Sequence, residues 1–118
     1  MKIYKKILIA EDELLIAKVL RMQFEKLGFE VSTISEENEV FNKVREMQPD
    51  VIILDVYLKN KTSGIEAGRK LRKAGINTPI IFTTGNSYDS TLLLINDISN
   101  VKILSKPVEF EHLLNLIC

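Results

Sequence analysis

The stretch "VIILDVYL", residues 51–58, decides the fold of this chain. Four apolar residues precede Asp55, and neither glycine nor proline interrupts the run. A strand that is apolar at consecutive positions is typical of a parallel sheet covered by helices on both faces. Asp55 would then end a buried strand, at a position where no turn residue accounts for a carboxylate.

Short apolar runs of this kind alternate with helix-like spacing five times along the 118 residues. The predicted strands are residues 6–10, 30–34, 51–56, 79–84 and 101–104. Right-handed helical crossovers between parallel strands place helices on both faces of one sheet. We therefore expect an α/β flavodoxin-like (βα)5 sandwich with strand order 2-1-3-4-5, forming a single domain over residues 1–118.

Local signals mark the ends of several helices. The first helix is expected to end at Gly28, because glycine readily adopts the left-handed conformation that terminates helices. Ser35 is expected to cap the second helix, which ends before Pro49. The fourth helix is expected near residues 89–98, although "LLLI" at 92–95 also fits a strand.

Composition excludes several classes of function. The 16 basic residues balance the 16 acidic ones, so a nucleic-acid partner gains no electrostatic support and we expect no direct binding to it. The apolar runs are far shorter than the roughly 20 residues that span a bilayer, and the N-terminus lacks the apolar core of a signal peptide. We expect a cytoplasmic protein without membrane contact. Its single cysteine, Cys118, agrees with a reducing compartment.

The carboxyl ends of the predicted strands bring polar side chains to one edge of the sheet. Glu11 and Asp12 follow the first strand, Asp55 ends the third, Thr84 ends the fourth and Lys106 follows the fifth. Carboxylate oxygens suit a hard cation such as Mg²⁺, which often binds beside phosphate. Such a cation would also offset the repulsion among adjacent acids. The pattern indicates a Mg²⁺ and phosphate site.

Each of these residues has a simpler interpretation when taken alone. Asp12 fits a helix-capping role, since acids gain about 0.3–1 kcal/mol at a helix N-terminus. Thr84 fits a strand-end hydroxyl, and Lys106 fits a solvated surface charge. Their convergence with Asp55 at one edge favours the functional interpretation.

Four motifs, "ILIAEDE", "DVIILDVYL", "PIIFTTGNS" and "ILSKP", occur in this order across nearly the whole chain. Together they resemble the response-regulator receiver domain of two-component signalling. The resemblance implies that a sensor histidine kinase phosphorylates Asp55. It also implies that Asp12, Asp55 and the backbone carbonyl of Tyr57 bind Mg²⁺, while Glu11 reaches the metal through water.

The same resemblance implies roles for the other half of the site and for a partner surface. Thr84 and Lys106 would contact the phosphoryl oxygens, and the face of the fourth helix, fifth strand and fifth helix would switch for partner binding. The partner would be an output domain, an effector protein or a second copy in a homodimer. The domain would be a signalling module that catalyses only its own phosphorylation and dephosphorylation. One departure is Ile103, where receivers commonly carry an aromatic residue whose ring couples to the threonine.

Three alternative functions compete with the receiver interpretation. A flavin or nucleotide binder wants a loop rich in glycine, serine or threonine after the first strand, whereas this chain has three acids at residues 11–13. A haloacid-dehalogenase-like phosphatase shows two aspartates there, and this chain offers Asp12 alone. A docking module that acts without phosphorylation would keep the site residues without using them.

Overall fold

The computed structural model describes residues 4–59 and 63–117, in which strands and helices alternate. The strands are β1 (Lys6–Ala10), β2 (Glu30–Ile34), β3 (Val51–Asp55), β4 (Ile80–Thr84) and β5 (Val101–Ser105). The helices are α1 (Leu14–Lys26), α2 (Glu37–Met47), α3 (Ser63–Lys73), α4 (Tyr88–Ile95) and α5 (Phe110–Ile117). Cys118 lies outside the described residues.

The strands form one parallel sheet in the order β2-β1-β3-β4-β5, which confirms the predicted flavodoxin-like α/β fold. The register keeps the carboxyl ends of neighbouring strands level. Asp55 at the end of β3 lies opposite Thr83 of β4, and Thr84 lies opposite Ser105 of β5. Side chains at these strand ends therefore reach the same edge of the sheet.

The sheet is buried on both faces, as the apolar run in β3 predicts. Helices α2, α3 and α4 cover one face, with Leu71 and Ile95 fully buried against Phe82 of β4. Helices α1 and α5 cover the other face, where Phe24 and Leu113 are fully buried. Each such side chain contributes about 1.5–3 kcal/mol through burial. Every residue of β3 lies in this core, including Asp55.

Three predicted strand boundaries differ from the structure by one residue. Strand β3 ends at Asp55 rather than at Val56. Strand β4 begins at Ile80, after Pro79, since proline has no N–H to donate to a ladder. Strand β5 extends to Ser105, because it continues to pair with Thr84.

Two predictions about helices were wrong in part. Ser35 does not cap α2: the helix begins at Glu37 after an extended Glu36, and acids in the first turn complement its N-terminal dipole instead. The predicted fourth helix near residues 89–98 is confirmed as α4, but it begins at Tyr88 and ends at Ile95, three residues earlier than predicted, and the strand alternative for residues 92–95 was wrong. The end of α1 was predicted correctly, with Gly28 at φ +94° just beyond it.

Within residues 4–59 and 63–117, every helix is too short or too polar to cross a membrane.

Candidate functional site

Three carboxylates meet at the carboxyl edge of β1 and β3, as the sequence predicts. Oxygen atoms of Glu11, Asp12 and Asp55 lie within 4.8 Å of one another. Glu11 and Asp55 are only 5% and 3% exposed, while Asp12 is half-buried. The cluster forms because β1 and β3 are hydrogen-bonded neighbours in the sheet.

Backbone donors close in sequence orient the two buried carboxylates. The Tyr57 N–H donates to Asp55 Oδ1 at 3.0 Å, and the Glu13 N–H donates to Glu11 Oε2 at 3.1 Å. In each case the donor lies two residues after the acid, where the chain turns away from the strand. These bonds leave Asp55 Oδ2 and Glu11 Oε1 for other contacts.

Asp12 is held from the opposite loop rather than acting as a helix cap. Its Oδ2 accepts a hydrogen bond from the Lys59 N–H at 2.9 Å, across 47 positions of sequence. The N-cap residue of α1 is Glu13, whose side chain makes no capping bond. The capping interpretation of Asp12 was therefore wrong.

Lys106 lies inside the crevice, where it contacts both buried acids. Its Nζ is 2.7 Å from Asp55 Oδ2 and 3.3 Å from Glu11 Oε1. The solvated-charge interpretation was wrong for this residue, since its side chain is about three-quarters buried, with 26% exposed. The Lys106–Pro107 peptide bond that follows is cis.

The charges of the crevice are not balanced. The pKa of Glu11 is raised to about 7, mainly by burial and in part by the neighbouring Asp55, against the opposing effects of the Glu13 N–H and Lys106. Burial lowers the pKa of Lys106, but the hydrogen bond and charge of Asp55 raise it more. The pKa of the ammonium therefore lies above its ordinary value. One ammonium thus faces two buried carboxylates. A further cation in the crevice would be favoured, because it would stabilise the ionised form of these acids.

Thr84 is fully buried at the end of β4 and lies on the face covered by α4. Its Oγ1 accepts hydrogen bonds from the Asn86 N–H at 3.0 Å and from Thr91 Oγ1 at 3.3 Å. Asn86 in turn donates through Nδ2 to the Tyr57 hydroxyl at 2.7 Å. The loop after β4 is therefore tied to the loop after β3.

Thr91 was missed by the sequence interpretation, although a signal was present. Thr91, Ile95 and Ile98 occur at the spacing of one buried helix face, and all three are at most 5% exposed. A hydroxyl at a core position of an otherwise apolar face calls for a buried partner. The partner is Thr84, which only the packing of α4 on β4 identifies.

Gly64 was also missed, and it shapes the acidic end of β3. Its N–H donates to the Val56 carbonyl at 3.2 Å, and a Cβ at this position would overlap the backbone carbonyl of Asp55. Glycine therefore lets the beginning of α3 approach the strand end closely. For Tyr57, the observed backbone contact is through its N–H, and the metal-binding role of its carbonyl stays a prediction.

The family of the chain follows from comparison with known sequences. The chain belongs to the response regulator receiver domain family, whose sequence profile matches residues 7–118. Receiver domains are the signalling modules of two-component systems, so the resemblance drawn from the four motifs is confirmed.

Named relatives agree with this assignment. The chain is 33% identical over 103 residues to the alkaline phosphatase synthesis transcriptional regulatory protein PhoP of Bacillus subtilis, covering 87% of this chain and 42% of that protein. It is 34% identical over 110 residues to the probable C4-dicarboxylate response regulator DctR of Halalkalibacterium halodurans, covering 92% and 47%. The chain thus spans less than half the length of either relative.

A solved structure shows the same architecture along its full length. The chain matches the Vibrio cholerae chemotaxis protein CheY4 with a TM-score of 0.86 at 26% identity, covering 98% of this chain and 97% of that one.

Proposed function

We propose that the chain is one receiver domain over residues 1–118, in which Asp55 accepts a phosphoryl group from a sensor histidine kinase. One observation carries the proposal: Lys106 Nζ lies 2.7 Å from Asp55 Oδ2 inside a cluster of three carboxylates. Membership of the family favours this function over the flavin-binding and phosphatase alternatives.

Asp55 acts as the nucleophile. One of its carboxylate oxygens attacks the phosphorus of a phosphohistidine, a P–O bond forms, and the P–N bond breaks with its electron pair returning to the imidazole. The Tyr57 N–H on Oδ1 and the Lys106 ammonium on Oδ2 fix the plane of the carboxylate for this attack. The product is an aspartyl phosphate at the mouth of the crevice.

Lys106 and Thr84 stabilise the charge that the transferred group brings. The Lys106 ammonium neutralises negative charge on a phosphoryl oxygen, and the Thr84 hydroxyl donates a hydrogen bond to another. Burial of both groups strengthens these interactions relative to water.

The acidic cluster would hold Mg²⁺ in this proposal. Asp12 and Asp55 would bind it with the Tyr57 carbonyl, and Glu11 would reach it through water, consistent with carboxylate oxygens of the three acids that lie within 4.8 Å of one another. When bound, Mg²⁺ neutralises charge on the phosphoryl oxygens. Burial raises the pKa of Glu11, and a bound cation would favour the ionised form of this carboxylate.

Phosphorylation then alters the surface of α4, β5 and α5. Adding a dianion beside Thr84 and Lys106 draws the loop after β4 inward, and α4 follows that loop. The curated relatives are named as transcriptional and response regulators. We therefore assign this surface to an output domain or effector protein, with a second copy of the chain as the alternative partner.

The test is intact-mass analysis after incubation with acetyl phosphate, with and without Mg²⁺. We expect one added phosphoryl group on the wild-type protein with Mg²⁺ and none without it. Asp55→Asn should abolish the adduct, because an amide is a poor nucleophile. Asp89→Asn, an exposed position on α4, is the matched control and should leave it unchanged.

Two results would contradict the proposal. Labelling of Asp55→Asn at the wild-type level would place the phosphoryl group elsewhere. Failure of the wild-type protein to form an adduct or to bind beryllofluoride, an analogue of the phosphoryl group, would favour a docking module that works without phosphorylation.

A further inference from the structure

A buried pair of hydroxyls connects the end of β4 to α4. Thr91 is 1% exposed and donates from Oγ1 to Thr84 Oγ1, which also accepts from the Asn86 N–H. A hydroxyl oxygen has two acceptor positions and one proton. With both acceptor positions of Thr84 filled, its own proton is directed to a further acceptor, such as a phosphoryl oxygen in the crevice.

Ile103 of β5 offers Thr84 no comparable polar contact. Ile103 lies opposite Phe82 in the register, while Ser105 lies opposite Thr84, so Ile103 is on the same face of the sheet as Thr84. Its side chain is partly buried against the apolar cluster of that face. A hydrocarbon side chain neither donates to nor accepts from Thr84. Among the described hydrogen bonds, the Thr84 hydroxyl therefore reaches another helix or strand only at Thr91 of α4, whereas the chain after β5 meets Thr84 through the backbone, where the Lys106 N–H donates to the Thr84 carbonyl at 2.7 Å.

The two ends of α4 are attached differently. Beyond its C-terminus, Asp97 accepts hydrogen bonds from Arg69 of α3 at 2.9 and 3.2 Å, and Arg69 also donates to the Leu94 carbonyl at 2.9 Å. The N-terminal half is attached to the site through Thr91 alone among the described side-chain bonds between α4 and β4. A change at Thr84 is thus passed to the N-terminal half, while α3 holds the other end.

We propose that Thr91 is a positioning residue that couples α4 to the phosphorylation state of Asp55. When Thr84 moves toward a phosphoryl oxygen to donate its proton, Thr91 follows to keep its buried hydroxyl bonded, and the N-terminal half of α4 moves with it. The driving force is the cost of leaving a buried hydroxyl without a partner. The inference rests on the proposed function of Asp55 and adds the route by which the signal reaches α4.

The test compares amide chemical shifts of the wild-type protein with Thr91→Val, which keeps the shape of the side chain but lacks the hydroxyl. Spectra are recorded before and after addition of Mg²⁺ and beryllofluoride. We expect the changes in amide shift at residues 88–91 to become smaller in the variant, on the order of threefold, because the bond that carries the change from Thr84 to α4 is lost. The amides of Tyr57 and Lys106 should still shift, because the crevice itself still binds the analogue.

Two further variants separate the hydroxyl from simple packing. Thr91→Ser keeps the hydroxyl and loses a methyl group, so it should restore the response of α4. Thr91→Ala lacks the hydroxyl in a smaller side chain and should behave like Thr91→Val, which keeps the test decisive if the valine variant unfolds.

The outcomes distinguish this inference from the proposed function. An unchanged response of α4 in Thr91→Val, or an equal loss in Thr91→Val and Thr91→Ser, would overturn the coupling role while Tyr57 and Lys106 still respond. Absence of any response at Tyr57 and Lys106 in the wild-type protein would overturn the proposed function and this inference together.

Discussion

The crevice has two halves that are built in different ways. The acidic half consists of Glu11, Asp12 and Asp55, and the two buried acids accept from backbone N–H groups two residues further along the chain. The hydroxyl half consists of Thr84 and Thr91; Thr84 likewise accepts from the N–H two residues further on, but its hydroxyl also bonds to a side chain on a different element. The two buried acids are thus fixed by local backbone and by charge. The hydroxyl half is fixed by packing, so it is the half that can transmit movement.

Lys106 contacts both halves: its ammonium lies beside Glu11 and Asp55, and its backbone N–H donates to the Thr84 carbonyl at 2.7 Å. The predictions below test this difference from the largest expected effect to the smallest.

Lys106→Met should slow phosphorylation by acetyl phosphate about 100-fold, because a preorganised charge facing the transferred group is lost. Without Mg²⁺ at pH 8 it should also lower the free energy of unfolding by about 2–4 kcal/mol, since two buried carboxylates lose their counter-ion. Rates come from intact-mass time courses and stability from urea unfolding. Lys102→Met, an exposed position on β5, is the control. Equal effects of the two variants would refute a special role for Lys106.

The pH dependence of stability tests the acidic half. The pKa of Glu11 is raised from 4.5 to about 7, so the folded state keeps a proton there that the unfolded state releases. The free energy of unfolding of the metal-free protein should therefore fall as the pH rises through that interval, by about 3 kcal/mol in total. Glu11→Gln should remove this loss and be the more stable protein at pH 8.

Urea unfolding between pH 4 and pH 8, with and without Mg²⁺, measures this effect. Mg²⁺ should stabilise the wild-type protein more at pH 8 than at pH 5, because Glu11 is ionised at the higher pH. Glu13→Gln, which changes an exposed acid next to the cluster, is the matched control. A wild-type profile that coincides with that of Glu11→Gln would contradict the burial argument.

Ser87→Ala tests the hydroxyl half with a small change, because Ser87 caps the helix that carries Thr91. Ser87 Oγ accepts from the Ser90 N–H at 3.2 Å and caps α4. Its loss should lower the free energy of unfolding by about 0.5–1 kcal/mol. Amide hydrogen exchange should become faster at residues 88–91 while protection in β1 and β3 falls only with global stability. Ser99→Ala is the control, and equal exchange in both variants would show that the cap does not hold α4.

The acidic half was largely predictable from sequence. Its three acids lie at the carboxyl ends of apolar strands: Asp55 ends β3, and Glu11 and Asp12 follow β1. Parallel pairing brings these strand ends together independently of the conformation of the loops. Lys106 was predictable for the same reason. The apolar run of β3 likewise predicts a strand that is buried on both faces.

Long-range contacts were not predictable in this way. The bond from the Lys59 N–H to Asp12 depends on how the loop after β3 folds back, and the close approach of Gly64 to Asp55 depends on the angle at which α3 begins. The wrong assignment of Ser35 as a cap and the predicted end of the fourth helix at residue 98 have a related cause. Short-range propensity does not fix where a helix begins or ends when tertiary packing chooses among neighbouring positions.

The sequence by itself determined the order of strands, the family and the residues at the carboxyl edge, because hydrophobic period and strand connectivity are properties of the chain. Tertiary structure alone decided that Lys106 contacts both buried acids and that Thr91 meets Thr84. Those contacts depend on distances of a few ångströms between elements that are far apart along the chain. Such distances are set by the packing of side chains in the core, which no local pattern specifies.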